Sequence, residues 1–346
     1  MSSRGRGVVR ESFDVGVRCA VVGAGALGSI HARVLSKLAD AELVGVHDTD
    51  GARARDVAKK WKVPVFEDLD AVAAGAEAAI VAVPTSAHMG VAEHLLSAGV
   101  HCLVEKPLAS SLEEARRIVA VAREADRQLM VGHVERFNPA VVAVLEHGLE
   151  PRFLEAQRVS PFPFRSADVG VVLDMMIHDI DLILHLVRSK VTAVHAVGVG
   201  VLGDAEDMAN ARLVFENGAV ANVTASRVAL KTERKMRFFA EDTYVTLDFH
   251  KKSGRLIRLA PGVREGIVGG QIKLEGMTPL EATVKRLVRT HSLKVRAKDE
   301  PLMLEDQAFL DAVKDGHEPA VTGEHGVLAM ETAAQVIASI RANAAS

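Results

Sequence analysis

The strongest constraint on this chain lies near its start. The apolar run Val17-Arg-Cys-Ala-Val-Val22 leads directly into Gly23-Ala24-Gly25-Ala26-Leu27-Gly28, and a helical stretch follows to about Leu38. A short continuous apolar run marks a parallel strand buried on both faces. The G-x-G-x-x-G spacing has a physical reading at each glycine. The first permits a tight turn and the second lets backbone approach a pyrophosphate. The third allows close packing of strand on helix, whose N-terminus faces the phosphate charge. Asp48 ends the next strand, ELVGVH, 20 residues past Gly28. There its carboxylate can accept hydrogen bonds from an adenosine ribose and repel a 2′-phosphate. Gly23, Gly25, Ala26, Leu27, Gly28 and Asp48 are therefore expected to bind NAD, with NADP less favoured. Arg53 and Arg55 soften the repulsion, and Asp48 alternatively reads as a turn residue beside Thr49-Asp50-Gly51.

The strand–helix alternation continues. A charged helix covers Ala52–Trp61, and AAIVAV, VHCLV and QLMVGH are further buried strands. Ser111-x-x-Glu114 is a capping box that opens another helix. This rhythm predicts an α/β Rossmann domain, a doubly wound parallel sheet, over residues 16–136. After Asn138 the segments become alternating and valine-rich, and Glu216-Asn217-Gly218 supplies a hairpin turn. Residues 137–346 are expected to form an α+β domain with an open, mainly antiparallel sheet. Its C-terminal helix is expected to pack back on the first domain. Residues 1–15 lack the apolar stretch of a signal peptide and read as a loose tail.

Composition narrows the function. Lysine and arginine number 42 against 45 acidic residues, so a net charge of −3 gives no reason to bind nucleic acid or an anionic membrane. Aromatic residues are only 4%, too few for a nucleic-acid stacking platform. The one tyrosine, Tyr244, is followed four residues later by Asp248, which excludes the Tyr-x-x-x-Lys chemistry of short-chain dehydrogenases. Cys19 and Cys102 sit in apolar runs and read as core residues of a reduced, cytoplasmic protein. No apolar run approaches the ~20 residues of a membrane span.

Two places carry chemistry. Lys106, in Glu105-Lys106-Pro107, leaves the strand VHCLV at its carboxyl end, where open α/β sheets bind ligands. Asp174 and His178 stand at i and i+4 and so share one face of a regular helix. Histidine titrates near neutrality and suits removal of a hydroxyl proton. His31, His47, His94 and His147 read instead as structural.

These segments, GAGALG, AVPTSAH, HCLVEKPLA, GHVERFNPA, LDMMIHDIDL and the closing PAVTG with His325-Gly326, occur in an order that resembles the glucose–fructose oxidoreductase/inositol dehydrogenase (Gfo/Idh/MocA) family. The resemblance covers nearly the whole chain after the tail. It implies an NAD(P)-dependent dehydrogenase of sugars or cyclitols, assembled as a homodimer or homotetramer. It places Lys106, Asp174 and His178 on catalytic positions and Glu105 on the nicotinamide ribose. It also adds Pro84, Thr85 and His88 to the cofactor site. A narrower likeness, in GHVERFNPAV and RVSPFPFRSADVGVVLDMMIHDIDL, is to the branch that oxidises UDP-N-acetylglucosamine to a 3-keto sugar nucleotide. In that branch a separate aminotransferase consumes the product, in bacteria on the way to lipid A. On that likeness His133, Arg136, Phe137, Asn138, Arg158, Phe162 and Arg165 line the substrate cleft, the arginines facing diphosphate. Each arginine alternatively reads as a surface salt bridge.

The departures and rivals are specific. The family often has Gly-Gly before the catalytic helix, whereas this chain has Asp168-Val169-Gly170-Val171. His178-Asp179 with His185 could form a metal phosphohydrolase dyad, but that leaves GAGALG, Asp48 and EKP unexplained, and no metal is expected. Six basic residues between Lys285 and Lys298 read as a solvated helix face, or as a contact to anionic UDP or a partner subunit. An NAD-binding regulator would have no use for lysine, aspartate and histidine together, which favours an enzyme. Within that class an inositol or free-sugar dehydrogenase is the alternative.

Overall fold

A computed structural model describes residues 16–161, 169–203, 205–273, 275–276, 278 and 287–344. These divide into two compact units. One runs to Gly132 and includes Glu305–Gly323; the other runs from His133 to Leu304 and resumes at Glu324.

The first unit is built on a parallel sheet of β1 (Val17–Val22), β2 (Ala41–His47), β3 (Ala78–Val81), β4 (His101–Glu105) and β5 (Leu129–Gly132). Their spatial order is β2-β1-β3-β4-β5. The chain moves outward from β1 to β2, then returns to place β3 on the other side of β1. Strand order reverses there, and ligands of such sheets bind outside the carboxyl ends at that reversal. Every residue of β1 except Arg18 is buried, as are all of β3 and β5. Cys19 and Cys102 are free and buried within this sheet, and burial pushes both thiols up out of reach of ionisation.

The connecting helices are α1 (Ala26–Leu35), α2 (Gly51–Trp61), α3 (Leu69–Gly75), α4 (Thr85–Ser97) and α5 (Leu112–Glu124). Asp50 caps α2, Asp68 caps α3, and Ser111 caps α5, with the Glu114 carboxylate accepting the Ser110 N–H. A late segment completes the unit. Thr322 forms an antiparallel bridge with Met130 on β5, and the Val131 N–H donates to the Val321 carbonyl at 3.0 Å.

The second unit holds an eight-stranded sheet. Its strands are β6 (Phe153–Val159), β7 (Val191–Val199), β8 (Met208–Phe215), β9 (Val220–Ser226), β10 (Glu233–Phe239), β11 (Thr243–Asp248), β12 (Ser253–Leu259) and β13 (Val288–Ser292). They lie in the order β13-β12-β11-β10-β6-β9-β8-β7, antiparallel throughout except for the parallel pair β6–β9. The β8–β9 hairpin turns at Asn217-Gly218, where Gly218 takes a φ of +80° that favours glycine. Alternate residues such as Leu213, Val223, Ala156 and Phe238 form the buried face.

Helices α6 (Pro139–Leu145), α7 (Ile177–Val187), α8 (Val263–Val268), α9 (Pro301–Asp315) and α10 (Gly323–Ala344) complete the described elements. Ser339 and Asn343 of α10 bond the N–H and carbonyl of Ala196 on β7, each at 2.8 Å. The residue 1–15 tail and Lys285 and Arg286 of the basic stretch lie outside the described residues. Among the described residues no helix is long and apolar enough to cross a membrane.

Candidate active site

The glycine turn follows β1 at the point of strand reversal, and its three glycines differ in what surrounds them. Gly23 has a φ of +98°, and a Cβ there would lie 2.5 Å from the Ala82 carbonyl oxygen just after β3. A Cβ on Gly28 would sit 1.7 Å from the Gly23 carbonyl oxygen. Both are therefore required by the protein's own packing. Gly25 is different, because a Cβ there meets nothing within 4 Å. It is the N-cap of α1, makes no side-chain cap and has no acidic residue in the following turn. The space in front of it is part of a cleft of about 440 Å³, bounded by Ala24–Ala26, Ser29 and, from α2, Arg53 and Asp56. An uncapped helix N-terminus opening onto such space fits the pyrophosphate of a dinucleotide. Ala26 and Leu27 are exposed beside it.

Asp48 is tied into this turn. One carboxylate oxygen accepts the Ala24 N–H and the other the Asp50 N–H, both at 2.7 Å. It fixes the glycine turn to the end of β2 and keeps lone pairs for a further donor. Pro84 is the N-cap of α4 and Thr85 its first residue, so both stand in the segment that Gly23 approaches.

His88 was expected to meet the cofactor. Its side chain is buried, with Nδ1 3.0 Å from the Pro107 carbonyl and Nε2 3.0 Å from that of Val83. Burial holds its pKa below the ordinary value. His88 braces the loop after β3 against the cis Lys106–Pro107 peptide.

Glu105 ends β4 with a buried carboxylate. Oε1 accepts from His31 Nε2 at 2.9 Å and Oε2 accepts the Lys106 N–H at 3.1 Å. Gly132 makes room for it, since a Cβ there would lie 2.9 Å from the carboxylate carbon. His31 turns its other nitrogen to Asp306, at 2.9 Å from Oδ1. Lys106 itself is half-buried. The involvement of His31 went unread in the sequence, because Asp306 lies 275 residues away.

In the second unit, Asp174 and His178 are half-exposed while Asp179 and Asp181 beside them are buried. The expected regular helix is absent at Asp174. Val172–Met176 forms a π-helical turn, and α7 begins only at Ile177. Such wider turns recur at functional sites, and this one alters the spacing of Asp174 and His178 from that of a 3.6-residue helix. Its start is held by Glu206, whose main-chain oxygen accepts the Val171 N–H at 2.8 Å and whose Oε1 accepts the Val172 N–H at 3.3 Å. Gly170 is what lets that carboxylate in, because a Cβ there would lie 2.1 Å from Oε1.

Two of the arginines expected at the diphosphate, Arg136 and Arg158, are paired with buried carboxylates. Arg158 is 3% exposed; Nε and Nη2 each donate to the Asp179 carboxylate at 2.9 Å, and Nη1 donates to Glu135 at 2.8 Å. Burial works against its charge, but Asp179 and Glu135 outweigh that and hold it cationic. Arg136 grips Asp181 through Nε at 2.8 Å and Nη2 at 2.6 Å, while Nη1 lies 3.3 Å from His185 Nδ1. Burial, then the charge of Arg136, drives His185 down to about 4, so it stands as a neutral acceptor.

Asn138 is also internal. It caps α6 through the Ala140 N–H and donates to Glu135 and to the Phe249 carbonyl. His133 is 1% exposed, with Nε2 4.0 Å from Asp181. The physical reason is common to the group. Buried Asp179, Asp181 and Glu135 require counter-charges, and the two guanidiniums supply them in fork geometry. Their effect is to lock α7, and with it His178, onto β6 and the short Val134–Phe137 turn. Phe137 is half-buried on that turn. Phe162, Phe164 and Arg165 lie outside the described residues. Among the described residues no group of three or more His, Cys, Asp or Glu could hold a metal.

Comparison with known proteins agrees with this architecture. The family model described as "Oxidoreductase family, NAD-binding Rossmann fold" matches residues 17–133, and the GFO/IDH/MocA C-terminal domain matches residues 150–246. The chain is 36% identical to UDP-N-acetylglucosamine 3-dehydrogenase of Acidithiobacillus ferrooxidans over 94% of its own length and 98% of that protein. It belongs to the Gfo/Idh/MocA oxidoreductase family. A solved structure of the Acidithiobacillus enzyme superimposes with a TM-score of 0.83 at 34% identity, covering 95% of this chain and 99% of that one. Inositol 2-dehydrogenase of Rhizobium meliloti is 27% identical over 94% of this chain and 97% of its own. The parallel sheet with its glycine turn is thus the family's NAD-binding domain, and the eight-stranded sheet is its C-terminal domain.

Proposed function

We propose that this protein is an NAD-dependent dehydrogenase that oxidises the 3-hydroxyl of UDP-N-acetylglucosamine to a ketone, which a separate aminotransferase then consumes. The observation that carries the substrate is the likeness to the Acidithiobacillus enzyme, which runs almost the full length of both chains. NAD is favoured over NADP by the Asp48 carboxylate at the end of β2, although Arg53 borders the same cleft.

The residues divide the work by their chemistry. The turn at Gly25 and the first N–H groups of α1 hold the pyrophosphate, and Asp48 holds the adenosine ribose. When bound, the dinucleotide supplies the hydride acceptor. His178 removes the hydroxyl proton as general base. The Lys106 ammonium holds the same oxygen and stabilises charge that develops on it. Asp174 orients the imidazole or holds a neighbouring hydroxyl. With Arg136 and Arg158 committed within the fold, Arg165 is the remaining arginine for the diphosphate, and Phe137 and Phe162 are candidates for packing on the sugar or uracil. The active form is a cytoplasmic homodimer or homotetramer.

The test is NADH formation by the purified protein with UDP-N-acetylglucosamine, myo-inositol or glucose, with hydroxylamine present to trap the ketone. Turnover of the sugar nucleotide alone, with a 3-oxime detected by mass spectrometry, is the expected result. Turnover of inositol without the sugar nucleotide would overturn the substrate and leave the family standing.

A further inference from the structure

One set of buried charged groups outside the mechanism above reaches the segment of Lys106. His31 is fully buried on α1, three residues after the last glycine of the turn. Its Nδ1 lies 2.9 and 3.2 Å from the two oxygens of Asp306 on α9, which is equally buried, and its Nε2 lies 2.9 Å from Glu105 Oε1. An ionised carboxylate only accepts hydrogen bonds, so a ring with a carboxylate on each nitrogen must carry both protons. His31 is therefore an imidazolium. Burial opposes that charge, but Asp306 and Glu105 outweigh it and raise the pKa to about 10.

We propose that His31 is a positioning residue for the reaction: gripped from behind by Asp306, it fixes the Glu105 carboxylate that holds the Lys106 main chain. This links the helix of the glycine turn to the lysine that meets the substrate oxygen, and it rests on that reading of Lys106. Two observations and one general rule separate it from a simple brace. The second oxygen of Glu105 goes to the Lys106 N–H, so the chain of bonds ends at the lysine's own backbone. Gly132 leaves the carboxylate its space, since a Cβ there would lie 2.9 Å from Oε2 and 3.1 Å from Oε1. A buried ion set is also weak evidence of stability, because apolar residues of similar volume often serve as well. A fixed orientation at a reacting group is where such a set has a use, since small misplacements there cost rate steeply.

Asp306→Asn and His31→Gln test this, each nearly conserving volume, with the double variant as the charge-neutral combination should a single one fail to fold. Three quantities are measured on folded protein. They are the NAD dissociation constant by calorimetry, kcat and KM on whichever of the three substrates the parent oxidises, and the rate of Lys106 acetylation relative to Lys59 in cofactor-free protein. The expected result is a fall in kcat of about 10- to 100-fold, with KM and the NAD constant each within about threefold. The Lys106 labelling rate should change several-fold. Unchanged kcat and unchanged Lys106 labelling, with only the thermal midpoint lowered, would make His31 a fold brace and overturn the proposal. If the parent oxidises none of the three, the substrate reading has failed, and the labelling rate alone decides the role of His31.

Discussion

Replacing Gly25 and Gly28 by alanine, one at a time, separates what the fold requires from what a dinucleotide requires. At Gly28 the new methyl would lie 1.7 Å from the Gly23 oxygen and 2.9 Å from its carbonyl carbon. That contact must open by more than an ångström, and Gly23 cannot retreat because it is itself packed on the Ala82 carbonyl. A backbone shift of this kind in a packed turn is expected to cost more than about 3 kcal/mol, or on the order of 10 °C in thermal midpoint. At Gly25 the backbone φ of −67° suits alanine, and the methyl meets nothing. The cost there is below about 1 kcal/mol. That methyl nevertheless occupies the space assigned to the pyrophosphate, so the NAD dissociation constant should rise at least about tenfold, which is about 1.4 kcal/mol. Scanning calorimetry and titration calorimetry on the two variants give all four numbers. Parent-like NAD binding by Gly25→Ala, or parent-like stability of Gly28→Ala, would refute the reasoning.

Three further outcomes are expected. His178→Ala should lower kcat by about 10²- to 10⁴-fold with NAD affinity unchanged, and undiminished turnover would remove His178 as the base. Arg158→Met strands Asp179 in the core and should cost about 3–5 kcal/mol of stability while the folded fraction keeps its KM. A raised KM with stability intact would return Arg158 to the substrate. Stability should also depend on pH through His31, which titrates at 6.5 unfolded and at about 10 folded. The folded chain holds the extra proton between those values, so this contribution is full below pH 6.5 and lost as pH rises to 10. The thermal midpoint should fall across that window in the parent and fall less in His31→Gln; equal slopes would refute the linkage.

What could be read from the sequence was what local pattern encodes. The buried strands of the first unit announce themselves as continuous apolar runs, and each glycine of the turn has a neighbour or an opening that matches its spacing. Three things were not local. The direction of Arg136 and Arg158 depends on Asp181 and Asp179, 45 and 21 residues on, so a motif that looks substrate-facing says nothing of which carboxylate lies behind it. The i, i+4 relation of Asp174 and His178 presumes 3.6 residues per turn, and the π-helical stretch Val172–Met176 breaks that presumption. The parallel pairing of β6 with β9 inside an otherwise antiparallel sheet also leaves no mark on alternation, which records faces and not partners.

The return of Glu305–Gly323 to the first unit has a consequence for how the molecule is made. β5 is an edge strand, and the bridge from Thr322 is what shields it. Asp306 and that bridge are both translated after some three hundred other residues. Until then a nascent chain carries His31 with only one of its two carboxylates, and a sheet edge open to any strand that passes. The dinucleotide-binding unit therefore cannot mature in the order of synthesis. A gene fragment ending at Gly132 would encode all five strands and still yield an aggregation-prone product.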